Sequence, residues 1–94
     1  MDKKLEFEAQ LRGKRYGGEL HSWFIHEIRN KAGLLVGKVA FGYLNGGGGT
    51  WRTSPIVDER EADGTKYIIT QNSYYTLVDP PATDNEKVFI KSSF

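Results

Sequence analysis

The chain has no cysteine, so disulfides, thiol catalysis, iron–sulfur clusters and cysteine-based zinc sites are all excluded. It has three prolines and one methionine. No run of 18 apolar residues occurs, which excludes a membrane-spanning helix. The opening Met1-Asp2-Lys3-Lys4 leads into alternating Leu5-Glu6-Phe7-Glu8, so the lysines precede no apolar signal-peptide core. These absences predict a soluble, cytoplasmic protein. Hydrophobic residues make up 38% of the chain. That is low for a domain that must bury a core, and the 13% aromatic content offsets it. The 94 residues allow one domain spanning 1–94.

Charge is nearly balanced at +1 but unevenly spread. Residues 1–52 hold nine basic against five acidic side chains, and residues 53–94 hold four against seven. Folding is expected to interleave the halves in one sheet and largely cancel this split, since only segregated halves make a polar molecule.

Glycine is abundant, at eleven residues, and it punctuates short β-prone runs. Leu5, Phe7, Ala9 and Leu11 alternate with polar residues as in a half-buried strand. Lys14-Arg15-Tyr16, bracketed by Gly13 and Gly17-Gly18, reads as a basic loop tip. Leu20, Trp23, Phe24 and Ile28 fit a helical stripe, so one alternative is an α+β fold with a helix at about 19–32. The β-prone Trp23-Phe24-Ile25 and the turn chemistry of Asn30 to Gly33 favour a strand closing into a hairpin. Residues 34–44 then read as a central strand with both faces covered, and Gly37 and Gly42 let it bend. Trp51 to Thr53 is a short strand, and Pro55 marks an edge or bulge. Glu61 to Gly64 turns the chain into a strand at 65–70, and another follows at 74–78. Asp79-Pro80-Pro81 stops the sheet. Residues 82–87 read as polar linker before a final strand at Val88-Phe89-Ile90, which could pair across a twofold in a homo-oligomer. The expected fold is all-β: a single small barrel or strongly bent antiparallel sheet, SH3-like or OB-like, of five to seven short strands.

Catalytic chemistry finds little purchase. His21 and His26 fall on opposite faces of a regular strand, too far apart for a metal clasp, and no Gly-x-Ser-x-Gly elbow is present. The carboxylate pairs Glu6/Glu8, Asp58/Glu59 and Glu61/Asp63 read as solvated, with 58–63 at a hairpin tip. Gly46 to Gly49 lacks the lysine of a phosphate-binding loop and the spacing of a dinucleotide fingerprint. The reading is therefore non-enzymatic, with no cofactor and no metal.

What remains is binding. Trp51-Arg52, directly after the four glycines, joins two residue types enriched at interface hot spots. The contact surface is assigned to Lys14, Arg15, Tyr16, Gly46, Gly47, Gly48, Gly49, Trp51 and Arg52. A protein partner ranks first, as for an adaptor or a phage- or mobile-element-encoded inhibitor, an analogy from size alone. Single-stranded nucleic acid is the alternative. Arg12, Lys14, Arg15, Arg29, Lys31 and Arg52 would meet phosphates, and Tyr16, Trp51, Tyr74 or Tyr75 would stack on bases. The pI of about 8.0 falls short of dedicated nucleic-acid binders.

Overall fold

The computed structural model describes residues 13–94; the alternating segment at Leu5–Leu11 lies outside them. Six strands run in chain order: β1 Arg15–Arg29, β2 Leu35–Leu44, β3 Thr50–Arg52, β4 Ile56–Ala62, β5 Thr65–Thr70 and β6 Ser73–Val78. The helix α1, Asp84–Lys91, follows. The strands form one mixed sheet in the order β3-β2-β1-β6-β5-β4. Two antiparallel meanders, β1–β3 and β4–β6, are joined by the parallel pairing of β1 with β6. All-β character and the single small domain hold, and residues 19–29 are strand rather than helix.

Turn chemistry sets the hairpins. Asn30 accepts the Ala32 and Leu34 N–H groups on its side chain, and Gly33 takes the left-handed conformation that closes β1 onto β2. Asp63 and Gly64 both have positive φ and form the two-residue turn between β4 and β5. The 58–63 acidic cluster is therefore mostly strand, with only Asp63 at the tip.

The sheet curls strongly without closing. Strands β2 and β5 stand three places apart, about 14 Å in a flat sheet. Yet Ala40 of β2 and Ile68 of β5 share one buried cluster with Leu20, Tyr75 and Leu77. That cluster fills the concave inner face. At the seam between β2 and β4, the Lys38 amine lies 3.8 Å from Glu59. Pro55 sits where the chain leaves β3 and turns toward β4.

A β-bulge in β1 switches which residues face inward. Between His21 and Phe24, β1 advances three residues while β2 advances two, from Tyr43 to Phe41. Ser22, at φ 50°, absorbs the irregularity. Leu20 and Ile25 thus both reach the inner cluster, although an unbroken strand would send them to opposite sides. Phe24 instead joins Val39, Phe41 and Ile90 in a second cluster on the outer face, where the two rings stack with centroids 5.1 Å apart.

The second cluster lies beneath α1, and here the sequence reading is corrected. Residues 88–90 are helical, not a strand, and residues 84–87 of the supposed linker form the first turn. Thr83 caps the helix: its hydroxyl accepts the Glu86 N–H at 3.2 Å, while the Glu86 carboxylate accepts the Thr83 N–H at 2.9 Å. Asp84 and Glu86 complement the N-terminal end of the helix dipole and Lys91 the C-terminal end. Ile90, fully buried, seals the cluster. Two bonds tie α1 to the bulge, from the Ala82 N–H to the Trp23 carbonyl and from the Ser22 hydroxyl to Glu86. A tail strand pairing across a twofold is therefore not available to the chain.

The charge expectation is also revised. Both halves share the sheet but do not interleave. The first half of the chain builds β3-β2-β1 and the second half β6-β5-β4. Residues 13–52 carry six basic against two acidic side chains. The sheet therefore has a basic half and an acidic half, meeting at the parallel β1–β6 pair and again at the Lys38–Glu59 seam.

Candidate binding surface

The basic segment is not a free loop. Arg15 and Tyr16 begin β1 and pair with Ser73 and Tyr74 of β6. The Lys14 amine donates to the carbonyls of Thr70 and Gln71, clipping the chain to the β5–β6 turn. Tyr16 is half-exposed, tilted against Tyr74 with ring centroids 5.0 Å apart and its hydroxyl 3.0 Å from that of Thr76. Of the three residues, Arg15 alone directs its charge to solvent without a side-chain hydrogen bond among the described residues.

The glycine loop has structural duties that composition hid. Asn45 and Glu19 exchange two bonds, the Asn45 N–H to the Glu19 carbonyl at 2.7 Å and the Glu19 N–H to the Asn45 side chain at 3.0 Å. The Leu44 N–H donates to Gly49 and the Gly48 N–H to Leu44. A Cβ at Gly48 would run into the Leu44 carbonyl, and Gly46 and Gly49 have positive φ. The segment is an ordered, tightly wound β2–β3 turn.

Beyond it, Trp51 pairs with Gly42 and Arg52 with Phe41, so consecutive side chains leave the edge strand on opposite faces. Trp51 is 40% exposed. Arg52 lies on the outer face, its guanidinium 5.9 Å from the Phe94 ring, which in turn meets Phe41 edge-on. No carboxylate lies within ion-pairing distance of Arg52 among the described residues. The turn lies beside Glu19 of β1, only a few residues from Arg15 and Tyr16. The two predicted segments therefore occupy one end of the sheet, with the Trp51 and Arg52 side chains divided between its faces.

Sequence reading missed the contribution of α1. Val88, Phe89 and Phe94 are exposed at 69%, 62% and 59%, and Phe94 adjoins Arg52. The Thr83-Asp84-Asn85-Glu86 capping signature is the signal that identifies this helix in the sequence. Also unforeseen was the exposure of Ile28, Leu34, Leu35 and Val36 toward the tip of the β1–β2 hairpin.

Several titratable groups form ion pairs or caps. The bulge reverses the sequence expectation for the histidines. His21 pairs with Tyr43 and His26 with Val39, so both side chains lie on one face, about 13 Å apart along β2. That spacing still spans no metal ion, and no cluster of three or more metal-ligating side chains occurs among the described residues. His21 Nε2 lies 3.2 Å from the Glu19 carboxylate, whereas Ser22 donates to Glu86 rather than to a histidine. The Thr83 backbone N–H, joined by the Ser22 hydroxyl, holds the Glu86 carboxyl below the usual carboxylate range. On the inner face the Lys66 amine sits 5.4 Å from the Trp23 ring, beside a cleft also lined by Glu59 and Glu61.

No helix among the described residues is long and apolar enough to cross a membrane. No protein-family model, curated protein or solved structure matches the chain.

Proposed function

We propose that this chain is a non-enzymatic protein-binding module of adaptor or inhibitor type, working in the cytoplasm, and that its contact surface is centred on β3. One observation carries the reading. Trp51 and Arg52 stand exposed on an edge strand, and Arg52, free of any carboxylate among the described residues, adjoins the exposed Phe94. Large aromatics left in water beside an unpaired guanidinium are what hot spots require, because both release binding energy when a partner desolvates them. The wound glycine turn contributes by holding β3 in place rather than by mobility, which limits the entropy lost on association. The test is capture of the native partner by wild-type and Trp51→Ala proteins in the presence of nuclease. Trp51→Ala is expected to weaken the complex by about 2 kcal/mol, roughly thirtyfold. Unchanged capture by a folded variant would remove Trp51 from the interface and overturn its place as the centre of the contact surface.

A second reading, single-stranded nucleic acid, is favoured by the segregation of charge into a basic β1–β3 half. It predicts affinity that falls steeply with salt and drops again in Arg15→Glu. Arg15 is the better probe than Lys14, because the Lys14 amine is engaged in holding the β5–β6 turn.

A further inference from the structure

Clefts on the described part of the sheet differ in charge. The seam between β2 and β4 is lined by Glu27, Arg29, Lys38 and Glu59, and its acids and bases already pair with one another. The inner cleft at Trp23 contains Glu59 and Glu61, with Lys66 over the indole. A third is a groove of about 550 Å³ on the outer face. Among the described residues its lining includes His26, Ile28, Val39, Phe41 and the Arg52–Pro55 segment, and none of these is a carboxylate.

We infer that this outer groove receives an apolar side chain flanked by carboxylates from an extended segment of a protein partner. The inference rests on the protein-binding reading and names the chemistry of the partner at Arg52. The floor is apolar and fixed: Val39 and Phe41 are buried members of the cluster beneath α1, with Phe24 stacked on Phe41. At the rim the Arg52 guanidinium has no carboxylate within ion-pairing distance among the described residues. The Phe94 ring lies beside Arg52, and the His26 ring, which meets Phe41 edge-on at 5.8 Å, lines the same groove. Its volume suits a side chain, not a folded element. A carboxylate next to the inserted group would meet the guanidinium in a fork-like pair that a neutral residue cannot make. The groove lies in the half of the sheet built from the basic part of the chain, which favours encounter with an acidic partner.

The probe is a short acetylated peptide with one phenylalanine flanked by glutamates, titrated into isotopically labelled full chain. The control peptide carries glutamine in place of each glutamate. Expected are shifts concentrated at His26, Ile28, Val39, Thr53 and Ser54, and affinity about tenfold better for the glutamate peptide. In Arg52→Gln, whose exposed position leaves the fold intact, that preference should collapse to less than twofold. Shifts elsewhere, no saturation at millimolar peptide, or a preference that survives Arg52→Gln would each overturn the assignment. Hexanoate binding as tightly as the peptide would assign the groove to a free carboxylic acid. Concentration-dependent shifts at the same residues without peptide would assign it to a second copy of the chain. Either result also overturns it. Peptide binding that persists when Trp51→Ala leaves partner capture unchanged removes only Trp51 and the inner face of β3 from the interface. Failed peptide binding with intact Trp51-dependent capture removes only the groove.

Discussion

Gly17→Ala probes the join between the two meanders. Gly17 is the extra residue where β1 passes from Tyr16 opposite Tyr74 to Gly18 opposite Tyr75. A Cβ there would enter the Tyr75 ring, which is 7% exposed and packed with Leu20, Ala40, Ile68 and Leu77. The ring has nowhere to go without displacing that cluster. Overpacking a close-packed core costs about 1–3 kcal/mol, and a buried aromatic held by two paired strands belongs at the upper end. Gly17 does not need positive φ, so alanine also restricts the unfolded chain and returns roughly 0.5–1 kcal/mol. The net expectation is about 2 kcal/mol of destabilisation. For a domain of this size that lowers Tm by about 8–16 °C. The assay is thermal and urea unfolding of the wild type, Gly17→Ala, Tyr75→Leu and the double variant. Tyr75→Leu empties the space the new methyl needs, so the double variant should be more stable than additivity requires by about 1 kcal/mol. A Tm for Gly17→Ala within about 2 °C of wild type, or strictly additive effects, would refute the packing argument.

Thr83→Ala removes the hydroxyl side of the capping box and should cost about 1 kcal/mol, read as lost helical circular dichroism and lower Tm. Because the folded Glu86 carboxyl is held below its ordinary range, its contribution is present above that range and disappears as the pH falls through the folded value. Wild type should therefore exceed Glu86→Gln in Tm at neutral pH and converge with it in acid. A gap that persists in acid contradicts the assignment. Thr53→Val should cost about 1–3 kcal/mol, since the buried Thr53 hydroxyl accepts the Ala40 N–H at 3.0 Å and valine leaves that donor unsatisfied. Equal urea midpoints would show that water replaces the bond. The effects of Trp51→Ala on capture and Arg52→Gln on peptide preference complete the set.

Local chemistry was legible wherever it is local in sequence. Asn30 to Gly33 and Asp63-Gly64 announce their turns because side-chain acceptors and positive φ act within four residues. The two-sided apolar pattern read over 34–44 holds for Val39 to Gly42, covered by the inner cluster and by α1, but not for Leu34, Leu35 and Val36, which are exposed. The helix was legible too, through Thr83 and Glu86, but the β-prone Val88-Phe89-Ile90 outweighed the cap. A few apolar residues carry no period of their own, and the capping bonds decide. Trp51 and Arg52 could be picked out by residue type, while their division between faces follows from pairing with Gly42 and Phe41.

The amino-acid sequence by itself determined the β character of the domain and the tight turns at Asn30–Gly33 and Asp63-Gly64, because those choices depend on propensity and neighbouring residues, whereas the fifteen-residue length of β1 exceeds the short strands it suggested. It also determined that no cysteine chemistry is open to the chain. Tertiary structure alone decided the rest. The bulge at Ser22 moved Leu20 and Ile25 to one face and His21 and His26 to the other, since one extra residue inverts a period of two. The parallel β1–β6 pairing kept the basic and acidic halves apart, a consequence of strand order that no local pattern encodes. The groove at Arg52, with no carboxylate among its described lining residues, exists only because β1, β2 and the Arg52–Pro55 segment come together at one edge of the curled sheet.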